Sequence, residues 1–185
     1  LLTAEEYASL DDLSGPTELV RGEIVELNPP KPEHGLLCTR VGRLLDEFAE
    51  RQRLGWVFLN DTGVIIDRNP DTVRGPDVWF VGYEKLPVDT EFSGRYLELV
   101  PDLAVEILSP SNRRGETIIK VGEYLRIGVS AVCVLDATNQ TVHLFSPDQP
   151  DTILQGDDIV EFRDVLPGFR ISVRELFRLR KERQQ

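Results

Sequence analysis

The run Leu103-Ala104-Val105-Glu106-Ile107-Leu108 constrains the fold of this chain most. Five of its six residues are apolar, and Ser109-Pro110 closes it. A short apolar run bounded by a turn signal reads as a strand, here from Asp102 to Leu108, the best defined in the chain. Period-two alternation sends Ala104, Glu106 and Leu108 to one face and Leu103, Val105 and Ile107 to the other. The single acid is the anomaly. A carboxylate amid such a strand costs several kcal/mol unless it is paired or bound to a metal. Glu106 is therefore expected to have a partner, either a cation or a lysine.

The remaining sequence supplies elements around that strand. Thr3-Ala4-Glu5-Glu6 has the form of a capping box opening a short helix to about Leu10. Thr17 to Val20 and Glu23 to Leu27 flank Arg21-Gly22 as a tight hairpin. That turn sets Val20 opposite Glu23 and Glu18 opposite Val25, with Glu18 and Glu23 on one face. Beyond the proline-rich segment Asn28 to Glu33, Leu37, Val41, Leu44, Leu45 and Phe48 recur at three- and four-residue steps. This predicts a helix from His34 to Arg53, ended by Gly55. Trp56 to Leu59 and Gly63 to Asp67 read as strands around Asn60-Asp61, Val78 to Val81 as a short buried strand, and Asp89 to Val100 as loop. A second helix is expected from Gly115 to Gly128. Ala131 to Leu135 and Thr141 to Phe145 read as a hairpin, and Ile153-Leu154 and Ile159 to Phe162 as weak edge partners. Ser172 caps a closing helix to Lys181. The order predicts a single α/β (α+β) domain over residues 1–185. Helices flank a central mixed, largely antiparallel β-sheet.

Composition bounds what such a domain does. The chain is 41% hydrophobic and 29% charged, ordinary for a globular protein. At 185 residues it buries roughly 70% of its extended surface, enough for one core. No apolar run approaches the ~20 residues that span a bilayer, and Leu1-Leu2 opens no signal-peptide pattern, so no membrane partner is expected. Cys38 and Cys133 sit among apolar neighbours and read as free buried thiols in a reducing, cytoplasmic setting. Without CxxC or a Cys/His cluster, a structural zinc site is not expected. The net charge of −11 argues against a protein that coats nucleic acid. A local basic strip such as Arg113, Arg114 and Lys120 remains compatible with contact to it. The C-terminal Arg174, Arg178, Arg180, Lys181 and Arg183 read as a solvated helix face.

Four pieces carry chemistry in order: Pro76-Asp77, the strand with Glu106, Lys120 and Tyr124. Two acids lie at or in strand-like runs, and a lysine and a tyrosine follow at i,i+4 spacing on a helix. Metal-dependent phosphodiester cleavage needs this inventory: hard oxygen ligands for a divalent ion, and an ammonium to steady the water or the developing charge. Plainer readings stand beside it. Asp77 closes a turn, Glu106 belongs to a structural salt bridge, and Lys120 is solvated. The helical wheel favours the last, because Ile118, Val121, Gly122 and Leu125 define a stripe whose centre lies away from Lys120. Glu18 and Glu23 are secondary acids on the hairpin. His34 opens the long helix, where it could donate to a phosphate or a metal-bound water. His143 is given no role. Gly15 and Gly22 lack a phosphate-loop context, no GxSxG elbow occurs, and neither cysteine has a catalytic setting.

With these residues in place, the chain resembles the Uma-two family of restriction-endonuclease-like domains from about Thr3 to Phe177. The stretches that carry the resemblance are ELVRGEIVELNPPKPEHG, NDTGV, RGPDVWFV, PDLAVEILSPSNRR, KVGEYLRIGV and AVCVLD. The family is similar to the PD-(D/E)xK nucleases. That resemblance implies a restriction-endonuclease-like core and a Mg²⁺- or Mn²⁺-dependent phosphodiesterase acting on nucleic acid, with DNA as the expected substrate. It implies Asp77 and Glu106 as metal-holding acids. Leu108 stands where the usual lysine would be, and Lys120 on the following helix takes that lysine's place. Glu23, His34 and Tyr124 match positions near the site. Cys133 stands where the family often carries an aromatic residue. A homodimer is expected of a nuclease that cuts a duplex. The rival expectation is a non-catalytic dimeric protein-binding module, in which Glu106 and Lys120 form a buried structural bridge.

Overall fold

A computed structural model describes residues 1–11, 13, 15–59, 62–108 and 114–179. Thr3 caps α1 (Ala4–Ala8) with both halves of the capping box formed. β1 (Thr17–Val20) and β2 (Glu23–Glu26) pair in the expected register, Val20 against Glu23 and Glu18 against Val25. Arg21 and Gly22 both take positive φ, as the favoured two-residue hairpin turn demands. α2 (Pro32–Gln52) begins on a proline, whose fixed φ suits the first turn. Its end differs from the expectation, because Arg53 and not Gly55 takes the left-handed conformation that closes it. Gly55 instead starts β3 (Gly55–Leu59), where a Cβ would fall on the Val81 carbonyl oxygen.

The chain continues through β4 (Val64–Asp67), β5 (Thr72–Arg74), β6 (Val78–Gly82) and β7 (Leu103–Leu108). Then come α3 (Arg114–Arg126), β8 (Ala131–Asp136), β9 (Thr141–Ser146), β10 (Gln149–Gln155), β11 (Ile159–Phe162), β12 (Leu166–Ser172) and α4 (Val173–Leu176). The central six-stranded sheet has the order β10-β9-β8-β7-β6-β3. β7 and β8 run parallel and its other pairs are antiparallel, so the sheet is mixed as expected. α3 is the crossover that a parallel pair requires. A smaller sheet, β2-β1-β5-β4, lies beside it, and β11 and β12 form a two-stranded ribbon.

One expected pairing does not form: β10 extends the hairpin strand β9, whereas β11 pairs with β12. β3 pairs with β6 and β4 with β5. The closing helix is only four residues long, with the Ser172 hydroxyl accepting from the Glu175 amide at 3.2 Å. Ser109-Pro110, Arg113, Arg180, Lys181 and Arg183 lie outside the described residues.

β7 sits between two cores. Leu103, Val105 and Ile107 pack with Leu37, Val41 and Leu45 of α2, and Ala104 packs with Val121 and Tyr124 of α3. The alternation read from sequence thus sends Glu106 to the α3 face.

Candidate active site

Glu106 is buried beneath α3. The Tyr124 hydroxyl donates to its Oε1 at 2.8 Å, and Lys120 Nζ lies 3.6 Å from the same oxygen. Burial pushes the Glu106 carboxyl up to about 8; the Lys120 ammonium opposes this, while Asp77 and Glu18 add to it.

Asp77 stands one residue before β6. The β6–β7 ladder pairs Val78 with Val105, so the next step along it brings Asp77 beside Glu106. The Asp77 side chain, in place of backbone, takes the Ile107 N–H on Oδ2 at 2.6 Å. Its Oδ1 lies 3.1 Å from His34 Nε2. His34 reaches it from the first turn of α2, and its Nδ1 lies 3.4 Å from Cys38 Sγ one turn further on.

Lys120 is not the solvated lysine of the wheel. Glu18 Oε1 lies 2.8 Å from its Nζ, and Glu18 Oε2 lies 2.7 Å from Arg74 Nη1. The Gly75 amide donates to the same glutamate at 3.1 Å, and Arg74 clasps Glu123 through Nε and Nη2. Burial alone would raise Glu18, but Lys120 and Arg74 outweigh it and hold Glu18 below the usual carboxylate range. Burial alone would lower the Lys120 ammonium, but Glu106 and Glu18 outweigh it and hold Lys120 above its usual value.

These groups border a cleft of about 330 Å³ lined by Pro16, Val25, Glu26, Leu27, Asn28, Pro30, His34, Asp77, Glu106, Glu116, Thr117 and Lys120. Asp77, Glu106, Lys120 and His34 are therefore brought together, with Tyr124 directly behind Glu106. Glu23 is not: it is exposed on β2 and outside the cleft lining. Glu18, on the same hairpin face, takes the buried position beside Lys120. Arg74, Glu123 and Cys38 had drawn no role from the sequence. The RGPD stretch signalled Arg74 only by adjacency, and Cys38 was marked only by its four-residue spacing from His34.

The donor chemistry fits a divalent cation. Asp77 and Glu106 are hard carboxylates on adjacent strands at one cleft, and Oε2 of Glu106 accepts no hydrogen bond among the described residues. Mutual repulsion between the two acids is what a bound cation relieves.

A central mixed sheet flanked by helices, with two acids and a lysine at the β6–β7–α3 junction, is an α+β fold with a candidate site at one edge of its central strands. The chain belongs to the Uma2 family, described as "Putative restriction endonuclease", whose model matches residues 4–174. Among solved structures it is similar to a crystal structure described as "a putative nuclease belonging to DUF820" from Anabaena variabilis ATCC 29413. The TM-score is 0.84 at 20% identity, over 97% of this chain and 99% of that one. No curated protein matches the chain.

Proposed function

We propose that this protein hydrolyses phosphodiester bonds of nucleic acid, DNA in the first instance, with a divalent cation, Mg²⁺ or Mn²⁺. The observation that carries the reading is the convergence of Asp77, Glu106 and Lys120 on one cleft from β6, β7 and α3. Membership of the Uma2 family supports it.

Asp77 and Glu106 would hold the cation, which when bound polarises the phosphate and lowers the pKa of a coordinated water. The chain's own residues do the rest. Tyr124 fixes Oε1 of Glu106 and leaves Oε2 without a hydrogen bond among the described residues. The Ile107 amide and His34 fix both oxygens of Asp77. Glu18 holds the Lys120 ammonium at the cleft wall, where it offsets negative charge growing on the phosphate oxygens. Cutting both strands of a duplex calls for two such sites, so a homodimer is part of the reading. Cys133 is buried and Cys38 half-buried, and two cysteines outside any disulfide suit a reducing cytoplasm. Among the described residues no helix is long and apolar enough to cross a membrane.

One specific observation favours a second reading. Lys120 lies nearer Glu18, at 2.8 Å, than Glu106, at 3.6 Å, as a structural bridge in a non-catalytic dimeric module would. Calorimetric titration of Mg²⁺ and Mn²⁺ into wild type, Asp77→Asn and Glu106→Gln, with plasmid cleavage on the same samples, separates the two. The enzyme reading expects binding and cleavage in wild type and loss of both in the variants. A wild type that neither binds nor cleaves would hand the fold to the module.

A further inference from the structure

We infer a second, softer metal site on the α2 side of Asp77, formed by His34, Cys38 and Asp77 and suited to Zn²⁺. Spacing at i,i+4 puts His34 and Cys38 on one face of α2, and the fold brings Asp77, far downstream in sequence, against that face. One ligand atom from each residue lies within 4.8 Å of the others. Two of the contacts are shorter still, 3.4 Å from His34 Nδ1 to Cys38 Sγ and 3.1 Å from His34 Nε2 to Asp77 Oδ1.

Tetrahedral zinc with bonds of about 2.0–2.3 Å sets its ligand atoms roughly 3.3–3.8 Å apart. Each short contact alone is close to that edge, but the two use different imidazole nitrogens and one metal takes only one. Loading the site therefore turns the ring until a single nitrogen joins Cys38 and Asp77, starting from ligand atoms within 4.8 Å of one another. Binding exchanges the Cys38 thiol proton for the metal–sulfur bond and releases it to solvent. Thiolate, imidazole and a single carboxylate favour Zn²⁺ over Mg²⁺, which takes oxygen ligands. Three protein ligands leave the fourth position to water, on the side where His34 and Asp77 line the cleft. The sequence set zinc aside for want of a Cys/His cluster; the third ligand is distant in the chain, so only the fold assembles one.

The Ile107 amide occupies Asp77 Oδ2, so both metals would draw on Oδ1, and sharing that oxygen makes them exclusive. That consequence rests on the hard-cation reading above, whereas the zinc site does not. The test is titration of the full chain with Zn²⁺ and with Co²⁺, in wild type and in Cys38→Ser, His34→Gln, Cys133→Ser and Glu106→Gln, with folding of each checked by circular dichroism. Wild type is expected to take one equivalent, and its Co²⁺ form to show thiolate-to-cobalt charge-transfer absorption. Cys38→Ser and His34→Gln should each lose that band and at least about tenfold in Zn²⁺ affinity. Cys133→Ser should keep both. Glu106→Gln should also keep both while losing hard-cation binding, so failure of the nuclease reading leaves this result standing. Absence of the band in wild type, or its survival in Cys38→Ser, overturns the site and leaves His34 as a hydrogen-bonded positioner of Asp77. Simultaneous binding of Zn²⁺ and Mn²⁺ to wild type overturns the sharing.

Discussion

Burial raises the Glu106 carboxyl from an ordinary 4.5 to about 8; the Lys120 ammonium opposes the shift, while Asp77 and Glu18 add to it. An acid whose native pKa is raised holds its proton more tightly when folded. Its stabilising contribution is full below about 4.5 and lost as pH climbs through about 8. The metal-free protein should accordingly lose melting temperature on Glu106's account between about pH 5 and about pH 9, and Glu106→Gln should flatten that loss in a melting series. A divalent cation selects the ionised form, so its calorimetric affinity should rise with pH over the same window. Lys120→Ala is a different case. It strips the nearest cation from Glu106 and one of the two cations that hold Glu18, and should cost about 3 kcal/mol in urea unfolding, whereas Glu106→Gln should cost far less. Equal costs would mark the pair as a structural bridge. Which acids mattered was only half legible in sequence. Hairpin parity placed Glu18 and Glu23 on one face, but only packing against Arg74 and Lys120 decides that Glu18 is buried and Glu23 is not.

At the scale of elements, α3 shows why a wheel misled. Its sheet-facing side carries Thr117, Val121 and Tyr124 with Lys120 among them, while Ile118 and Ile119 face outward. Polar pairs from Lys120 and Glu123 to β1, β5 and β7 share the docking with the apolar Val121 and Tyr124, so an apolar-periodicity reading kept Val121 and missed Lys120. The strands with strong alternation were legible. β5 is three residues long, and β12 contains Pro167 and a left-handed Gly168 and meets β11 with a register shift, so neither carries a clean strand signal. Glycines give an element-level prediction. A Cβ at Gly55 meets the backbone of β6, and one at Gly42 meets the end of the Leu59 side chain. Backbone in a ladder cannot step aside, whereas Leu59 can turn. Gly55→Ala should lose several kcal/mol in urea unfolding, about the range of severe core lesions. Gly42→Ala, helped by about 1 kcal/mol of helix propensity against 1–3 kcal/mol of overpacking, should lose under about 2.

For the whole molecule, the question is how a chain of net charge −11 approaches a polyanion. Among the described residues lining the cleft, Glu26, Asp77, Glu106 and Glu116 are acidic, and Lys120, the only lysine or arginine, is engaged by two carboxylates. Such a surface releases few counterions, so it gains little of the salt-dependent affinity that ordinary DNA-binding proteins use. The deficit is made up at the site itself if Asp77 and Glu106 together hold a divalent charge facing the phosphate. Duplex binding should therefore depend on the cation. In fluorescence anisotropy with Ca²⁺ replacing Mg²⁺ to hold the complex, affinity should rise at least about tenfold over the metal-free protein, with a salt slope of only about −1 to −3. Asp77→Asn and Glu106→Gln should each abolish the rise. Tight binding without cation and with a steep slope would place the interface elsewhere. Arg113 and the C-terminal basic run, Arg178 to Arg183, would then be the positions to neutralise first, because they are the concentrated positive charge that the cleft lacks.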